Sequence, residues 1–408
     1  MSVCVENFSN GTILVGQPSP ELATVAINIL TPFGSVNEID DQIGISNIAT
    51  DLVSLAGGDL DPKNFASAVD RIGMRKSFSA GTEASVYSAV MLSDYFFQGL
   101  DLIESTFSKA KLYDEQLEGI KLRVIQEILS IEDEPSSQVM EELSKKFYPE
   151  PFGRSILGSK NTVNNLQLSQ INEYLNHQLN KPYIISVAGN FDWDKLKERI
   201  QSSFFASLKG SFDRLSFKGF SNEINRFHTS KDTNQQQIAL AYPFASANDE
   251  DYFACRLLIN ILSGGMSGRL FVEVREKRGL VYSVSASHSS AKDRGAVFVY
   301  AGTTPKNARE CLSVILNELN RLEEGFSEEE ISRAKVDLKS RLVISSESTT
   351  SRASIGASDF WTFGRVRPVE EIKSAIDKIS NNDLINVAKK YKPTSYTLMS
   401  IGQEDLSS

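Results

Sequence analysis

Apolar and polar residues alternate in several short runs in the first part of the chain, which predicts β-strands. Val25, Ile27 and Ile29 follow this two-residue period. The predicted strands lie at residues 12–15, 24–30, 74–80 and 84–91, and helical spacing predicts helices at 44–56, 94–109 and from 114 onward. This order of elements favours an α+β fold, in which helices cover one face of a largely antiparallel sheet.

The sequence also contains an internal duplication. The segment TPFGSVNE, which includes Pro32, recurs as YPFASANDE, which includes Pro243, 211 positions later. A helical stretch around Val124 resembles one around Val336, 212 positions later. The strand-like segments YIISVAG and TLMSIG form a third pair. Because the spacing hardly changes, we expect two homologous halves.

The duplication predicts two similar domains joined by a short linker. The first domain spans residues 1–205 and the second spans residues 227–408. Residues 206–226 between them are polar and contain Gly, Ser and Lys, as interdomain linkers often do. Each domain is expected to have the α+β layout described above.

Composition narrows the classes of function. The 408 residues are 41% hydrophobic and 23% charged, which is typical of globular proteins. A net charge of -9 provides no general attraction to nucleic acid or anionic lipid, so neither is expected as a partner. The chain has no apolar run of the ~18 residues that a membrane span needs, and its first residues lack signal-peptide features. We therefore expect a cytoplasmic location and no membrane association.

Four stretches along nearly the whole chain identify a family. They are TPFGSVNE followed by GIS at residues 44–46, PFGRSILGS at 151–159, ISVAGNFD at 185–192, and GGMSGRLFVEVREKRGLVYSV at 264–284. In this order they resemble the pitrilysin and mitochondrial-processing-peptidase family of zinc peptidases, and the last stretch is the most specific. The resemblance implies a clamshell of two similar α+β halves, and two such chains or tandem pairs are expected to enclose a closed peptide chamber.

The metal motif of that family is substituted in this chain. Active members carry H-x-x-E-H on the helix after the GIS segment, where two histidines bind zinc and the glutamate is the general base. The matching positions are Asn47, Thr50 and Asp51. An amide is a poor zinc ligand, a threonine hydroxyl accepts no proton near neutral pH, and Asp51 offers oxygen where nitrogen is needed. The third family ligand matches Glu127, whereas a further acidic position of the family falls on Ile120.

The retained polar residues also have explanations that need no zinc. Glu127 follows an apolar helical stripe and is a candidate for the edge of a core face. Asp51 and Asn47 are candidates for hydrogen bonds in a solvated cleft, or for a weak calcium-type or magnesium-type site. An independent metallopeptidase that uses Asp51 and Glu127 is a further alternative.

Arg275 and Tyr282 match a pair that the family uses in its half without zinc. There the pair hydrogen-bonds substrate carbonyls and the developing oxyanion. The sequence predicts that Arg275 closes a helix, that Gly279 permits a turn, and that Tyr282 lies on the next strand. The residues alone favour a half-buried tyrosine and a surface ion pair of Arg275 with Glu273 or Glu276, whereas the resemblance favours substrate binding.

The leading hypothesis is a non-catalytic subunit of a heteromeric zinc metallopeptidase. It would lend Arg275 and Tyr282 to a catalytic partner that carries the intact H-x-x-E-H motif, and the two chains would form a heterodimer that cleaves peptides. No cofactor is expected on this chain, and zinc is expected on the partner. The alternative is a structural or peptide-holding scaffold, like the core subunits of the respiratory cytochrome bc complex, which resemble the same family.

Overall fold

The computed structural model describes residues 3–208 and 214–407; residues 209–213, part of the predicted linker, lie outside the described residues. Its strands are Cys4–Asn7 (β1), Ile13–Pro18 (β2), Thr24–Thr31 (β3), Arg75–Ser79 (β4), Ser85–Leu92 (β5), Ile184–Gly189 (β6), Ile224–Ser230 (β7), Gln236–Phe244 (β8), Val281–Ser290 (β9), Gly295–Thr303 (β10) and Tyr396–Gly402 (β11).

The α-helices in the first half of the described chain are Ile45–Ser54 (α1), Pro62–Arg71 (α2), Phe96–Ser108 (α3), Asp114–Asp133 (α4), Pro135–Phe147 (α5), Lys160–Asn165 (α6), Leu168–Gln178 (α7), Trp193–Gln201 (α8) and Phe204–Ser207 (α9). Those in the second half are Tyr252–Ser263 (α10), Ala308–Arg321 (α11), Glu328–Glu347 (α12), Thr349–Phe363 (α13), Val369–Lys378 (α14) and Asn381–Lys390 (α15).

The first compact unit contains a six-stranded sheet. The unit combines Met1–Leu129, Glu150–Leu215 and Ser345–Val366, and its strand order is β1-β2-β6-β3-β5-β4. Neighbouring strands are antiparallel except for β2 and β6, which are parallel. Val25, Ile27 and Ile29 of β3 point to one face, where they are buried with apolar side chains of α1, α3 and α4. The alternating pattern in the sequence therefore marks the core face of this sheet.

The second compact unit contains a five-stranded sheet. It combines Ser130–Pro149, Ser216–Ile344 and Arg367–Ser408, and its strand order is β7-β11-β8-β10-β9. Here β7 and β11 are parallel and the other neighbours are antiparallel. Ile238 and Leu240 of β8 are buried with apolar residues of α10 and α11 in the main core of this unit.

In the described parts of the chain, one long helix packs on the second face of each sheet, and this helix comes from the other half of the sequence. In the first unit α13 lies on β3 and β6, where Ala353 is buried against Ala26 and Ala188. In the second unit α5 lies on β8 and β11, where Val139 is buried with Ala239. Alanine side chains are short, so they allow each helix to lie close to its sheet.

The structure confirms the α+β class with two largely antiparallel sheets. The predicted strands and helices occur with shifts of a few residues at their ends, and β1 and α2 lie in segments without a predicted element. The prediction placed helices on one face only, whereas β3 and β8 are buried on both faces and need a cover on each. The compact units consequently differ from continuous domains at residues 1–205 and 227–408, because α5 and α13 group with the sheet of the other half.

The described residues of the predicted linker are anchored at both ends of the stretch. Leu208 is buried in the core of the first unit. Phe220, in the second unit, stacks on Phe147 at the end of α5, with 4.7 Å between ring centroids. Phe217 contacts Phe220 at the same centroid distance. This stretch therefore contributes apolar contacts to the units that it joins.

Candidate functional site

A buried carboxylate sets the start of α1, the helix with the substituted metal motif. Glu38 accepts hydrogen bonds from the backbone N–H groups of Gly44 and Ser46, each at 2.9 Å. Burial raises the pKa of Glu38, although hydrogen bonds from Ser46 and Gly44 act in the opposite direction. Gly44 has a φ of +100°, a conformation that glycine adopts readily. The GIS segment therefore forms a tight turn whose N–H groups are capped by Glu38.

The PFGRSILGS segment holds the loop that precedes α1. Arg154 donates a hydrogen bond to the Glu38 carbonyl and pairs with the Asp40 carboxylate, both at 2.5 Å. Shortly after the segment, the Thr162 hydroxyl donates to the Ile43 carbonyl at 2.7 Å. Residues that are far apart in sequence from α1 therefore hold the loop before this helix in place.

The three substituted motif positions contact protein groups in the described structure. Thr50 is fully buried, and its hydroxyl donates to the Asn47 carbonyl at 2.9 Å. The Asn47 amide nitrogen is buried and has no hydrogen-bond partner among the described residues. The Asp51 side chain, 28% exposed, accepts a hydrogen bond from Arg123 on α4. The oxygen and amide groups at these positions are therefore either engaged with protein groups or of the wrong type to bind zinc.

Glu127 contacts the same arginine. Its carboxylate lies 3.7 Å from the Arg123 guanidinium, one helical turn away on α4. Burial raises the pKa of Asp51, the positive charge of Arg123 lowers it, and the negative charge of Glu127 raises it further. Ile120, the other departure from the family pattern, is buried in the core. Within residues 3–208 and 214–407 no three His, Cys, Asp or Glu side chains are grouped so that they could hold a metal ion.

The structure places Arg275 and Tyr282 as the sequence predicts, around one tight turn of the second unit. Arg275 lies in Phe271–Glu276, a short π-helix, and Gly279 follows with a φ of +60°. The Gly279 N–H donates to the Arg275 carbonyl at 2.9 Å, and the chain then enters β9. Tyr282 lies near the start of this edge strand. π-helical turns are rare and occur often at functional sites.

Both side chains of this pair face solvent. Tyr282 is 62% exposed, so it is not the half-buried tyrosine that the residues alone favour. Glu273 pairs with Lys277 at 2.6 Å and with Arg278 at 2.8 Å, and hydrogen bonds from these two side chains lower the pKa of Glu273. Arg275 is exposed and lies over the Phe271 ring, 5.1 Å from its centroid. Among the described residues it has no ion-pair partner.

An ion pair that sequence analysis missed holds the start of this π-helical segment. Arg269 donates to the two carboxylate oxygens of Glu330 on α12, at 2.6 and 3.0 Å. Its guanidinium also donates to the Gly325 carbonyl and lies over the Phe326 ring. Arg123 and Glu38 were missed in the same way. Charge alone could not have revealed these pairings, because the partners lie 61, 72 and 6 to 8 positions apart.

Two family models match the chain. Residues 14–160 match "Insulinase (Peptidase family M16)", and residues 166–338 match "Peptidase M16 inactive domain". The chain belongs to peptidase family M16. The first match of this M16 chain contains Asp51 and Glu127, and the second contains Arg275 and Tyr282. The predicted resemblance to the pitrilysin family is confirmed, and the second match is of the inactive-domain type.

Similar proteins cover the M16 chain almost completely. It is 29% identical to an uncharacterized zinc protease of Rickettsia felis over 98% of both chains, and 28% identical to one of Bacillus subtilis over 95% of both. A crystal structure of a peptidase M16 inactive domain from Pseudomonas fluorescens superposes with a TM-score of 0.90, at 19% identity and 98% coverage of both chains. A protease structure from Helicobacter pylori has a TM-score of 0.86, also at 19% identity, and covers 98% of this chain and 99% of its own. At this identity the two structures establish the fold alone.

None of the helices in the two described ranges is long and apolar enough to cross a membrane.

Proposed function

We propose that this M16 chain is the non-catalytic subunit of a heteromeric zinc metallopeptidase, and that it provides Arg275 and Tyr282 to a catalytic partner. The observation that carries the proposal is the contrast between its two candidate sites. The substituted motif at Asn47, Thr50 and Asp51 offers no zinc ligand set, since Asp51 is paired with Arg123. Arg275 and Tyr282 are exposed and available as hydrogen-bond donors.

The chemistry of the pair suits a peptide backbone. A guanidinium and a phenol both donate hydrogen bonds, and a peptide offers carbonyl oxygens as acceptors. The oxygen of a carbonyl under attack gains negative charge, so donors aimed at it stabilise the transition state more than the substrate. The Phe271 ring lies against the Arg275 guanidinium and supports its orientation through a cation–π contact.

The division of tasks assigns the metal chemistry to the partner. A homologous chain with the intact H-x-x-E-H motif would hold the zinc ion and the general base, and the two chains would form a heterodimer. The net charge of -9 supports a peptide rather than a nucleic acid as substrate. The cytoplasm remains the proposed location.

Reconstitution tests the proposal directly. The chain is mixed with the H-x-x-E-H homologue from the same genome, complex formation is measured by size-exclusion chromatography, and cleavage of a short or denatured peptide is followed. Tyr282→Phe removes one donor and leaves packing unchanged, so kcat should fall by about 10² to 10³ if the phenol contacts the oxyanion. Arg275→Ala should lower kcat/KM and raise KM, because a guanidinium also holds the substrate before reaction.

Matched controls separate the role of the pair from general damage. Tyr95→Phe changes another exposed tyrosine, and Arg278→Ala removes a neighbouring arginine that is paired with Glu273. Both control complexes should cleave at the parent rate. If the complexes with Tyr282→Phe and Arg275→Ala also cleave at that rate, the pair is structural, and the peptide-holding scaffold becomes the better explanation.

A further inference from the structure

Arg123 lies between two carboxylates that belong to different helices of the first unit. Its guanidinium donates to Asp51 on α1 and approaches Glu127 on α4 at 3.7 Å. Asp51 is 72 positions away in sequence, so this contact joins two helices rather than two turns of one helix. One guanidinium therefore contacts both carboxylates.

The three charges depend on one another. Asp51 and Glu127 repel each other, and the charge of Arg123 offsets this repulsion at the Asp51 carboxylate. Without the guanidinium, the Asp51 carboxylate, 28% exposed, would lie near the Glu127 carboxylate without the charge that offsets their repulsion. Oxygen donors of this kind bind Ca²⁺ and Mg²⁺ rather than zinc.

We propose that Arg123 is the built-in cation of this site: its guanidinium joins α1 to α4 in place of a metal ion and excludes divalent cations. An arginine suits this task because its planar guanidinium has several N–H groups in fixed directions, so one side chain can serve two carboxylates. The helix pair is then stable without any metal. This inference goes beyond the proposed function and requires neither a partner chain nor a peptide.

Thermal unfolding of four proteins tests the inference. They are the parent, Arg123→Met, Asp51→Asn and the double variant. Trp193 and Trp361, the two tryptophans of the chain, both lie in the first unit with the site, so their fluorescence follows this unit. Methionine keeps the apolar stem of the arginine and removes its charge. Each protein is treated with EDTA and then measured with and without 5 mM CaCl2 or MgCl2.

The expected pattern has three parts. Arg123→Met should lower Tm by about 1 to 3 °C, because two carboxylates lose their counter-ion in a site that is partly open to solvent. CaCl2 or MgCl2 should recover part of this loss in Arg123→Met and leave the parent Tm unchanged. The double variant should regain stability relative to Arg123→Met without any cation, because one of the repelling charges is gone.

A matched control removes the arginine of another Arg–Asp ion pair, at a different position in the chain. Arg341 pairs with Asp337 at 2.8 Å within the single helix α12. The Tm of Arg341→Met should therefore not respond to CaCl2 or MgCl2. This substitution should also lower Tm by less than Arg123→Met does.

Three results would overturn the inference. The first is an Arg123→Met protein with the parent Tm, and the second is a loss that Asp51→Asn does not suppress. The third is an equal cation response in the parent and in Arg123→Met, including no response in either. If Arg123→Met does not fold, Arg123→Lys is measured in its place. Lysine keeps the charge but not the planar guanidinium, so a smaller loss of Tm is expected. No step involves peptide cleavage, so failure here is distinguishable from failure of the proposed function.

Discussion

Glu330→Gln tests how the second unit holds the segment that carries Arg275. Glu330 accepts two hydrogen bonds from Arg269, which lies six residues before Arg275. The two paired side chains are 17% and 20% exposed, so water screens the pair only in part. Glutamine has nearly the same size and shape, so the substitution removes the charge and replaces one of the two acceptor oxygens with an NH₂ group. Arg269 keeps its hydrogen bond to the Gly325 carbonyl in the variant.

The structure sets the size of the effect. Hydrogen bonds from Arg269, and to a smaller extent from the Ser327 N–H, lower the pKa of Glu330 from 4.5 to about 2 against the opposing effect of burial. At about 1.4 kcal/mol for each pH unit, this shift corresponds to at most about 3.5 kcal/mol at pH 7. Because the pair retains some exposure, we expect the variant to lose about 1 to 2 kcal/mol of unfolding free energy.

The pH dependence has a definite sign. The pKa of Glu330 is lower in the folded state, so the ionised carboxylate stabilises the fold. This stabilisation is complete above pH 4.5 and disappears as the pH falls towards 2. The difference between parent and Glu330→Gln should therefore be smaller at pH 3 than at pH 7.5.

Urea unfolding followed by far-UV circular dichroism at the two pH values measures both effects. Glu370→Gln serves as the control, because Glu370 is 80% exposed and pairs with Lys373 within one helix. The control should change the free energy of unfolding by less than about 0.5 kcal/mol. An unchanged free energy in Glu330→Gln at pH 7.5, or an equal loss at both pH values, would refute the reasoning.

Two further predictions concern α1. The isolated chain should contain no stoichiometric zinc by elemental analysis. The triple variant Asn47→His, Thr50→Glu and Asp51→His should bind zinc only when Arg123 is also replaced. Zinc uptake by the triple variant with Arg123 present would contradict the second prediction. Glu38→Gln should lower the free energy of unfolding by about 1 to 2 kcal/mol, measured by calorimetry. The amide oxygen can accept a hydrogen bond from one of the two backbone N–H groups, whereas the amide NH₂ faces the other. A Tm equal to that of the parent would show that this carboxylate does not cap the helix.

Local periodicity was enough to predict the elements that carry the site. A two-residue alternation reports which face of a strand is apolar, and it placed β3 correctly because the core face of that strand is continuous. This alternation could not predict which helix packs on the second face of the sheet. Alanines such as Ala26 and Ala239 are compatible with solvent or with a close helix, and only the folded chain brings α13 and α5 to them.

The choice of ionic partners shows the same limit. Sequence proximity favoured Glu273 or Glu276 as the partner of Arg275. Lys277 and Arg278 pair with Glu273 instead, and Arg275 has no ion-pair partner among the described residues. Several cations lie within two helical turns of Glu273, so sequence distance alone does not decide which of them pairs with it. Arg275 is exposed, which is the property that the proposed function needs.

The sequence by itself determined which chemistry the three motif positions of this M16 chain cannot supply. Asn47, Thr50 and Asp51 cannot supply two nitrogen ligands and a general base in any conformation, since ligand chemistry belongs to the residue type. Only the tertiary structure decided what replaces that chemistry. Arg123 contacts Asp51 across 72 positions because α1 and α4 are buried against the same sheet, and no local pattern encodes such a contact.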